Sequence, residues 1–507
     1  MSVPLIERAR KHVERTAVID EEGEFSYGEL LEASRGVAEN LTEDGDLDGE
    51  RVAFMVPPGF EYPAVQWGVW RSGGVAVPLC LEYPFPELEY VVEDTEPDYV
   101  VATREYGGKS RKLADRYDVE HRYVDELTNG VETGHGGNEG NRDELPDVGI
   151  KRDAMILYTS GTTGKPKGVV STHEVITSQV ESLVEAWAWN GDDRILNTLP
   201  LHHLHGIINV MSCALYSGAV WETLERFDGS EVWNRFVEHP LTLYMGVPTM
   251  YYRLIEVFRE ADEGRQKHMR DGCDSFRLMV SGSDALPEET LRDWEEITGL
   301  RLLERYGMTE IGIALTNPLD GDRRAGTVGQ PAPGVNLRIV NDDGEVVTDT
   351  GTSGEIQVRG NTVFDRYWRR PDETENSFTD DGWFRTGDVA VQEDGYFRIL
   401  GRKSVDIINT GGYKVSAVEI EDELRKHPDV SDIAVVGVED PKWGEVVSAA
   451  VVPGKAEPDF DEIEGWIEER VADYKKPRRW MVTEELPRNP LGKVRKPVVE
   501  KRFTRDG

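Results

Sequence analysis

The sequence predicts an α/β protein with one large domain and a smaller domain at the C-terminus. Helical and strand-like patterns alternate between Gly23 and Pro78, which is typical of layered α/β folds. A boundary near Gly401–Ser404 precedes about 100 residues with a compact α/β pattern of their own. The chain of 507 residues, of which 38% are hydrophobic, suffices for two to four domains of roughly 100 to 200 residues each.

Local signals predict the first elements of the large domain. Ser26 and Glu29 form a capping box before an apolar-periodic run, so we expect a helix to begin there. The runs Arg51–Val56 and Val75–Leu79 are almost entirely apolar and predict strands. The segment Asn129–Pro146 is rich in Gly, Glu, Asn and Asp and almost lacks large apolar residues, so it predicts a surface loop.

The C-terminal domain shows the same kinds of signal. Ser416 and Glu419 predict the cap of a helix that ends before Pro428. The runs Ile433–Val438 and Val446–Val452 predict two strands after it. One capped helix and two strands within about 40 residues predict a compact α/β unit.

The charge of the chain argues against two classes of partner. It has 58 Lys and Arg against 96 Asp and Glu, a formal net charge of −38. This excess repels nucleic-acid phosphates and anionic lipids, so we expect no nucleic-acid partner and no membrane insertion. The acids lie in dispersed short runs such as Glu21–Glu24 and Asp44–Asp48, which resembles halophilic proteins of salt-loaded cytoplasms. An ordinary acidic solubility bias is the alternative.

Cysteine usage and the N-terminal residues predict a cytoplasmic location. Cys80, Cys213 and Cys273 lie far apart without CxxC spacing, so the sequence predicts neither a disulfide framework nor a zinc site. Met1–Asp20 lacks the basic start and apolar core of a leader, and no run of 18 or more apolar residues occurs. We therefore expect a soluble protein in a reducing cytoplasm.

One segment rich in glycine and hydroxyl groups, Tyr158–Gly168, predicts a polyphosphate site. Its glycines let the backbone approach an anion, its hydroxyls donate to phosphate oxygens, and Lys165 and Lys167 add positive charge. Walker-loop spacing is absent, and a strand-like run, Gly168–Ser171, follows instead of a helix, so a hairpin flap is predicted. A surface turn rich in Gly and Thr is the alternative.

This segment resembles the phosphate loop of the adenylate-forming family of acyl-CoA synthetases, adenylation domains and luciferases, and the resemblance extends from about Phe25 to about Lys496. It implies a large N-terminal domain with mixed sheets over residues 1–402 and a small mobile α/β domain over residues 403–507. It also implies ATP, Mg²⁺ and coenzyme A. The implied nucleotide-binding residues are Thr159, Ser160, Gly161, Thr162, Thr163, Gly164, Lys167, Gly282, Ser283, Tyr306, Gly307, Met308, Thr309, Asp388 and Arg402.

Motifs after the loop match the family in order, and the resemblance implies their roles. In Glu304–Glu310, Tyr306 would stack on adenine, and Glu310 would bind magnesium and count as catalytic. Ser281–Ser283 resembles the small-residue turn against which adenine lies. Asp388 would accept hydrogen bonds from both ribose hydroxyls, because a carboxylate has two acceptor oxygens.

Lys493, in the motif at residues 490–493, resembles the family's catalytic lysine. A carboxylate is a poor electrophile, so the family activates it by attack on the α-phosphate of ATP, which expels pyrophosphate. Lys493 would neutralise the charge that accumulates on the phosphate and the carboxylate. Thr159 and His203 complete the implied catalytic set.

Two further C-terminal motifs resemble parts that serve the thioester-forming step. Gly401–Asp406 resembles the hinge about which the small domain rotates, and within it Arg402 would contact the ribose. Ser404 departs from the Asp or Lys that is typical of relatives at this position. The residues that would line the pantetheine tunnel are Gly411, Gly412 and Tyr413.

The region expected to form the acyl pocket is more polar than a hydrocarbon tail requires. It includes Leu201–Gly206, with three histidines that lack a carboxylate or cysteine at ligand spacing, and Val247–Leu254. Burying an arginine without an anion is costly, so two arginines in this pocket predict a short dicarboxylate substrate. These motifs resemble malonyl-CoA synthetases, which implies that Arg253 and Arg305 bind the distal carboxylate of malonate or methylmalonate, with His205 nearby.

Three other functions stay open at this point. The first is a ligase for a short-chain, medium-chain, branched or aromatic monocarboxylate, with the arginines in internal ion pairs. The second is an adenylation module that serves a carrier protein, although no carrier sequence follows Lys493. The third is a non-catalytic nucleotide-binding relative, although Lys493, Glu310 and the phosphate loop are intact.

Overall fold

The structure is a computed structural model that describes residues 3–42, 45–128, 145–159, 166–410, 413–440, 442–454, 458–488 and 492–505. Most of the predicted surface loop (residues 129–144) lies outside these ranges, as do residues 160–165 of the predicted phosphate loop and residues 411–412.

The strands in these ranges are β1 (Thr16–Ile19), β2 (Glu24–Ser26), β3 (Arg51–Met55), β4 (Val75–Pro78), β5 (Tyr99–Ala102), β6 (Glu120–Tyr123), β7 (Asp153–Thr159), β8 (Lys167–Thr172), β9 (Arg194–Asn197), β10 (Val220–Thr223), β11 (Leu243–Gly246), β12 (Leu278–Ser281), β13 (Leu303–Met308), β14 (Gly312–Thr316), β15 (Gln330–Pro331), β16 (Asn336–Val340), β17 (Ser353–Arg359), β18 (Arg366–Tyr367), β19 (Phe384–Glu393), β20 (Tyr396–Arg402), β21 (Ile407–Thr410), β22 (Tyr413–Ser416), β23 (Val430–Asp440), β24 (Gly444–Pro453) and β25 (Arg479–Val482).

The α-helices are α1 (Pro4–Ala9), α2 (Tyr27–Leu41), α3 (Glu61–Arg71), α4 (Phe85–Thr95), α5 (Gly107–Tyr117), α6 (Val124–Thr128), α7 (His173–Ala186), α8 (Cys213–Ser217), α9 (Gly229–Glu238), α10 (Pro248–Glu260), α11 (Glu263–Asp271), α12 (Glu288–Thr298), α13 (Pro371–Ser377), α14 (Ala417–Leu424), α15 (Phe460–Glu468) and α16 (Lys496–Arg505). A π-helix spans His205–Ser212, and short 3-10 helices span Arg104–Tyr106 and Asp473–Lys475.

Mixed sheets form the layers of the N-terminal part. One sheet has the strand order β18-β8-β7-β4-β3-β5-β6, and another has the order β15-β14-β13-β12-β11-β9-β10-β1-β2. Their inner strands are parallel, while β7 with β8 and β13 with β14 form antiparallel pairs towards one edge. Inner strands such as β4 and β11 are buried throughout, which explains their continuous apolar sequences. The predicted α/β class with mixed sheets is confirmed.

Local signals place the first elements as predicted. The Ser26 hydroxyl accepts a hydrogen bond from the Glu29 amide at 3.1 Å, and the Glu29 carboxylate accepts one from the Ser26 amide at 2.7 Å. This reciprocal capping box begins α2. The two predicted strands are β3 and β4.

The strands after β15, apart from β18, form two further sheets. Strands β16-β17-β19-β20 form an antiparallel sheet that ends at Arg402, and β21 begins the sheet β22-β21-β24-β23, to which β25 adds in parallel. Ser416 caps α14 by accepting a hydrogen bond from the Glu419 amide at 3.2 Å. The predicted cap and the two predicted strands, which fall within β23 and β24, are confirmed.

Cys80, Cys213 and Cys273 are buried and free. Burial raises the pKa of the Cys80 thiol to about 11 and that of Cys273 to about 12, so these thiols stay protonated near neutral pH. None of the helices in the described ranges combines the length and the apolar composition that a bilayer crossing requires.

Candidate active site

An antiparallel hairpin carries the ends of the predicted phosphate loop. β7 and β8 pair up to Thr159, which lies opposite Lys167, so a strand follows the loop as predicted. The Lys167 ammonium lies 2.5 Å from the Glu373 carboxylate and 4.8 Å from the centre of the Tyr367 ring. The hairpin thus brings a lysine next to the residues around Glu310.

The three residues expected to bind adenine and ribose lie together. Tyr306, on β13, donates from its hydroxyl to Asp388 at 2.6 Å. Asp388 and Arg402 are paired across β19 and β20, and the Arg402 Nε donates to the other Asp388 oxygen at 3.0 Å. Burial and the Asp388 charge raise the pKa of Tyr306 well above its ordinary value, so its hydroxyl stays a donor. Asp388 therefore links Tyr306 and Arg402 in one preformed hydrogen-bonded group.

The β13–β14 turn positions Glu310. Gly307 lies so close to the neighbouring strand that an added Cβ would be 2.1 Å from the Gly312 carbonyl oxygen. Met308 ends β13, and Thr309 and Glu310 form the turn. The Glu310 carboxylate is buried and accepts a hydrogen bond from the Tyr367 hydroxyl at 2.9 Å.

Glu310 also fits the predicted magnesium ion. Burial raises the pKa of its carboxyl group, with the hydrogen bond from Tyr367 and the charges of Arg402 and Lys167 acting in the opposite direction. A buried, oxygen-bearing side chain of this kind suits Mg²⁺, which is commonly bound by one or two carboxylates together with substrate phosphates. No group of three or more His, Cys, Asp or Glu side chains in the described ranges is arranged to hold a metal ion, so at this site the ATP phosphates would complete the ligand set.

The guanidinium of Arg305 packs against the turn that follows β12. An added Cβ on Gly282 would lie 2.4 Å from both Cζ and Nε of Arg305, so only glycine lets the guanidinium pack against this backbone. Ser283 adopts a positive φ of 71°, which is unusual for a residue with a side chain. Its hydroxyl lies 3.2 Å from Nδ1 of His205 and accepts a hydrogen bond from Arg305 Nη2 at 3.4 Å.

Arg305 is a buried cation without a matching carboxylate in the part of the chain that the structure describes. Its residue exposure is 6%, and its Nε has no hydrogen-bond partner there. Burial lowers the pKa of its guanidinium to about 10, and the group still carries its charge near neutral pH. A buried charge left unpaired costs several kcal/mol. The site therefore favours an anionic ligand at this point.

Three neutral histidines lie in this region, of which His205 is buried and His202 and His203 are partly buried. Burial lowers the pKa of His202 to about 4, and burial with the charges of Arg305 and His203 lowers that of His205 well below its ordinary value. The pKa of His203 is lowered by burial, by His202 and by the positive charge of Lys493. The C-terminal Lys493 therefore lies close enough to act on a histidine of the large domain.

The structure corrects the expectation that two arginines are buried in the acyl pocket. Arg253 lies on α10 but is exposed, because the buried face of this helix is formed by Tyr251, Leu254, Ile255 and Phe258. One turn before it, the Met250 sulfur lies 3.9 Å from the Thr198 hydroxyl. Only Arg305 of the two is buried, and contact of Arg253 with the substrate stays a prediction.

Tyr413 is the described part of the predicted CoA loop, since Gly411 and Gly412 lie outside the described ranges. Its side chain is 55% exposed, and its ring stacks on Tyr474 with centroids 4.3 Å apart. The exposed Tyr413 ring, supported by the partly buried Tyr474, is available as a surface for a ligand. Its contact with CoA stays a prediction.

Sequence reasoning missed Tyr367, the hydrogen-bond donor to Glu310. This residue lies on β18, which pairs with β8 of the phosphate-loop hairpin. No motif identifies it, because a two-residue strand has no periodic signal of its own. Pairing of β18 with β8 is what brings its hydroxyl to the site.

The carboxyl group of Glu304, the residue before Arg305 in the chain, makes the stability of the protein depend on pH. Burial raises the pKa of Glu304 from 4.5 to about 8. Between these values the unfolded chain has lost the proton while the folded chain still holds it, so the free energy of unfolding falls as pH rises and levels off above about pH 8. We expect Glu304→Gln to lessen this fall, by up to about 1.4 kcal/mol per pH unit. Urea unfolding between pH 5 and pH 8.5 measures it.

Glu295→Gln is the matched control for Glu304→Gln. Glu295 pairs with Arg301 at the surface, with both side chains about 40% exposed. Such a pair contributes little, so the pH profile of this variant should follow the parent protein. Equal pH slopes for Glu304→Gln and the parent protein would contradict a raised pKa for Glu304.

The chain resembles known families and solved structures over almost its whole length. Residues 5–368 match the model of the AMP-binding enzyme family, and residues 419–493 match that of the AMP-binding enzyme C-terminal domain. Malonate--CoA ligase ACSF3, mitochondrial, from Mus musculus is 42% identical, covering 100% of this chain and 91% of that protein. Malonate--CoA ligase from Arabidopsis thaliana is 39% identical, with 97% and 87% covered.

A solved structure has the same fold. ATP-bound MatB from Rhodopseudomonas palustris superimposes with a TM-score of 0.89 at 32% identity, and 99% of each chain is covered. The first family model matches well over half of the chain, and its C-terminal companion matches the segment that ends at Lys493. The chain belongs to the AMP-binding enzyme family, the adenylate-forming enzymes that its motifs predicted.

Proposed function

We propose that this enzyme is an AMP-forming acid–CoA ligase that converts malonate or methylmalonate, ATP and CoA into the acyl-CoA, AMP and pyrophosphate. The observation that decides the choice of acid is the burial of the Arg305 charge without a carboxylate partner among the described residues. A second carboxylate on the substrate supplies the missing negative charge. The relatives named malonate--CoA ligase, at 39% and 42% identity, support the same acid.

In the first half-reaction, one carboxylate oxygen of the acid attacks the α-phosphorus of ATP. The bond from that phosphorus to the bridging oxygen breaks, and pyrophosphate leaves with the electron pair. Lys493 offsets the negative charge on the α-phosphate and the attacking carboxylate from its place near His203. Tyr306 stacks on adenine, and the Asp388–Arg402 pair holds the ribose.

In the second half-reaction, the CoA sulfur attacks the carbonyl carbon of the acyl-adenylate after its thiol has lost a proton. The bond from that carbon to the AMP oxygen breaks, and the thioester and AMP result. For this step the small domain, residues 403–507, turns about residues 401–406 and brings residues 411–413 to the pantetheine channel. The exposure of the Tyr413 ring supports such a role.

The working conditions form part of the proposal. Glu310, together with the ATP phosphates, would hold Mg²⁺, which would supply positive charge to the triphosphate. The net charge of −38 supports activity in a salt-rich cytoplasm, where counterions screen the dispersed acids. Comparison of turnover at low and molar KCl tests the salt adaptation, and a loss of activity at molar KCl would contradict it.

A substrate panel tests the choice of acid. AMP and acyl-CoA formation by the purified enzyme are measured with ATP, Mg²⁺ and CoA for malonate, methylmalonate, succinate, propionate, hexanoate and benzoate. We expect kcat/KM for a C3 diacid to exceed that for propionate by about 10²-fold or more, because a site built around an ion discriminates strongly against a substrate without it. A higher value for propionate, hexanoate or benzoate would select the monocarboxylate ligase instead.

A further inference from the structure

A buried lysine beyond the predicted catalytic residues lies between two carboxylates. Lys496, the first residue of α16, is 9% exposed. Its ammonium nitrogen lies 2.6 Å from an Asp406 oxygen and 2.8 Å from a Glu421 oxygen. We call these three residues the Lys496 cluster. Burial disfavours the charge of Lys496, but the Glu421 and Asp406 carboxylates outweigh it and raise the pKa of Lys496, so the ammonium stays charged.

The Lys496 cluster joins separate parts of the small domain to the hinge. The second Asp406 oxygen accepts a hydrogen bond from the Arg402 amide at 2.9 Å, and the Asp406 amide donates to the Arg402 carbonyl at 2.7 Å. Glu421, on α14, accepts a hydrogen bond from the Val435 amide of β23 at 2.7 Å. The cluster therefore ties α16 to α14, to β23 and to the hinge segment.

The hinge end of this network reaches the nucleotide site directly. The backbone amide of Arg402 donates a hydrogen bond to the Asp406 carboxylate. The side-chain Nε of Arg402 lies 3.0 Å from an Asp388 oxygen, to which it donates another. The other end reaches Lys493, which precedes Lys496 by three residues in the chain. In this structure the charge of Lys493 acts on His203. The cluster thus lies on a short path between the ribose-binding pair and the predicted catalytic lysine.

We propose that Lys496 is a positioning residue that sets the place of Lys493 relative to the hinge and the nucleotide during adenylation. This inference rests on the proposed function, because it takes Lys493 as the group that acts at the α-phosphate. An ion held by two carboxylates has little freedom to move, and removal of one partner of a buried ion pair is strongly disruptive. Displacement of a catalytic group by about 1 Å is enough to cost about 10²-fold in rate.

Separate measurement of the two half-reactions tests the inference. Pyrophosphate release in a single turnover without CoA reports adenylation, and acyl transfer from supplied malonyl-adenylate to CoA reports thioester formation. In Lys496→Met, we expect adenylation to slow by about 10- to 100-fold, with the KM values for ATP and malonate within about threefold of the parent values. Thioester formation should also stay within about threefold. Lys496→Arg keeps the charge and should restore adenylation.

A matched lysine and a second variant separate positioning from general stability. Lys426, in the same domain, pairs with Glu423 at 2.9 Å on the surface, and Lys426→Met should leave both half-reactions unchanged. Glu421→Gln serves if Lys496→Met does not fold. It leaves Asp406 as a partner for Lys496, so it should lose less stability and still slow adenylation selectively. Melting temperatures are recorded for every variant.

Lys493→Met, measured in parallel, distinguishes failure of the inference from failure of the proposed function. If Lys493→Met leaves adenylation intact, the role proposed for Lys493 is wrong. If Lys493→Met abolishes adenylation while Lys496→Met and Glu421→Gln leave it at the parent rate, the positioning role is overturned. Equal slowing of both half-reactions by the Lys496 and Glu421 variants would overturn it as well, because it would show a general structural effect.

Discussion

Replacement of Arg305 with alanine is expected to lower kcat/KM for malonate by about 10²- to 10³-fold, since truncating one partner of a buried charge pair costs roughly 2–5 kcal/mol. Arg305 is buried against the backbone of Gly282, next to Ser283 and His205. Its charge has no carboxylate partner in the described ranges. The variant leaves the second carboxylate of malonate at a buried position without a counter-charge. Steady-state kinetics of AMP formation measure the loss.

Three comparisons define the effect of Arg305→Ala. Arg259→Ala is the control, because Arg259 is 58% exposed and pairs with Asp293 on the surface, so its kinetics should stay at the parent value. Arg253→Ala measures what the exposed arginine of α10 contributes to malonate binding. Arg305→Ala should also use propionate at least as well as the parent enzyme does. Unchanged malonate kinetics in Arg305→Ala would contradict the dicarboxylate assignment.

Gly282→Ala is expected to have the second-largest effect among the single substitutions in the acid-binding site. A methyl group at this position would lie 2.4 Å from two atoms of the Arg305 guanidinium, which is closer than non-bonded atoms approach, so the guanidinium has to move. A displacement of about 1 Å predicts a loss of about 10²-fold in kcat/KM for malonate. The KM for ATP, measured in the same assays, shows whether the nucleotide side of the turn is also disturbed.

Gly108→Ala provides the matched control for Gly282→Ala. Gly108 lies in α5, and an added Cβ there meets no atom within 4 Å. Alanine is also the better helix former, so this variant should keep full activity and equal or higher stability. If Gly282→Ala binds and activates malonate like the parent enzyme, the contact between Gly282 and Arg305 has no functional importance.

Local chemistry explains the parts of the fold that could be predicted. The caps at Ser26 and Ser416 use hydrogen bonds over three residues, and the runs at Arg51 and Val75 are buried, parallel inner strands of a mixed sheet. The hairpin around the phosphate loop was predictable because a strand-like run, beginning at Gly168, follows the glycines directly. All these signals act between neighbours in the chain, so one sequence suffices to identify them.

Burial of individual side chains did not follow from such signals. Arg253 and Arg305 have the same chemistry and lie in similar apolar surroundings in sequence, yet one is exposed on α10 and the other is buried on β13. The difference depends on which face of α10 packs inward and on the contact of Arg305 with the turn at Gly282. Neither the inward face of α10 nor the contact with Gly282 follows from sequence alone, because both depend on the elements packed against these residues.

The sequence by itself determined the α/β class, the adenylate-forming family and the candidate residues for ATP, because these depend on local patterns and on motifs with fixed spacing. Only the tertiary structure decided that Tyr306, Asp388 and Arg402 form one hydrogen-bonded group and that Tyr367 binds Glu310. It also decided that Lys496 lies between Asp406 and Glu421. These groups join residues between 14 and 90 positions apart, and their contacts arise from sheet pairing and domain packing, which no short stretch of sequence specifies.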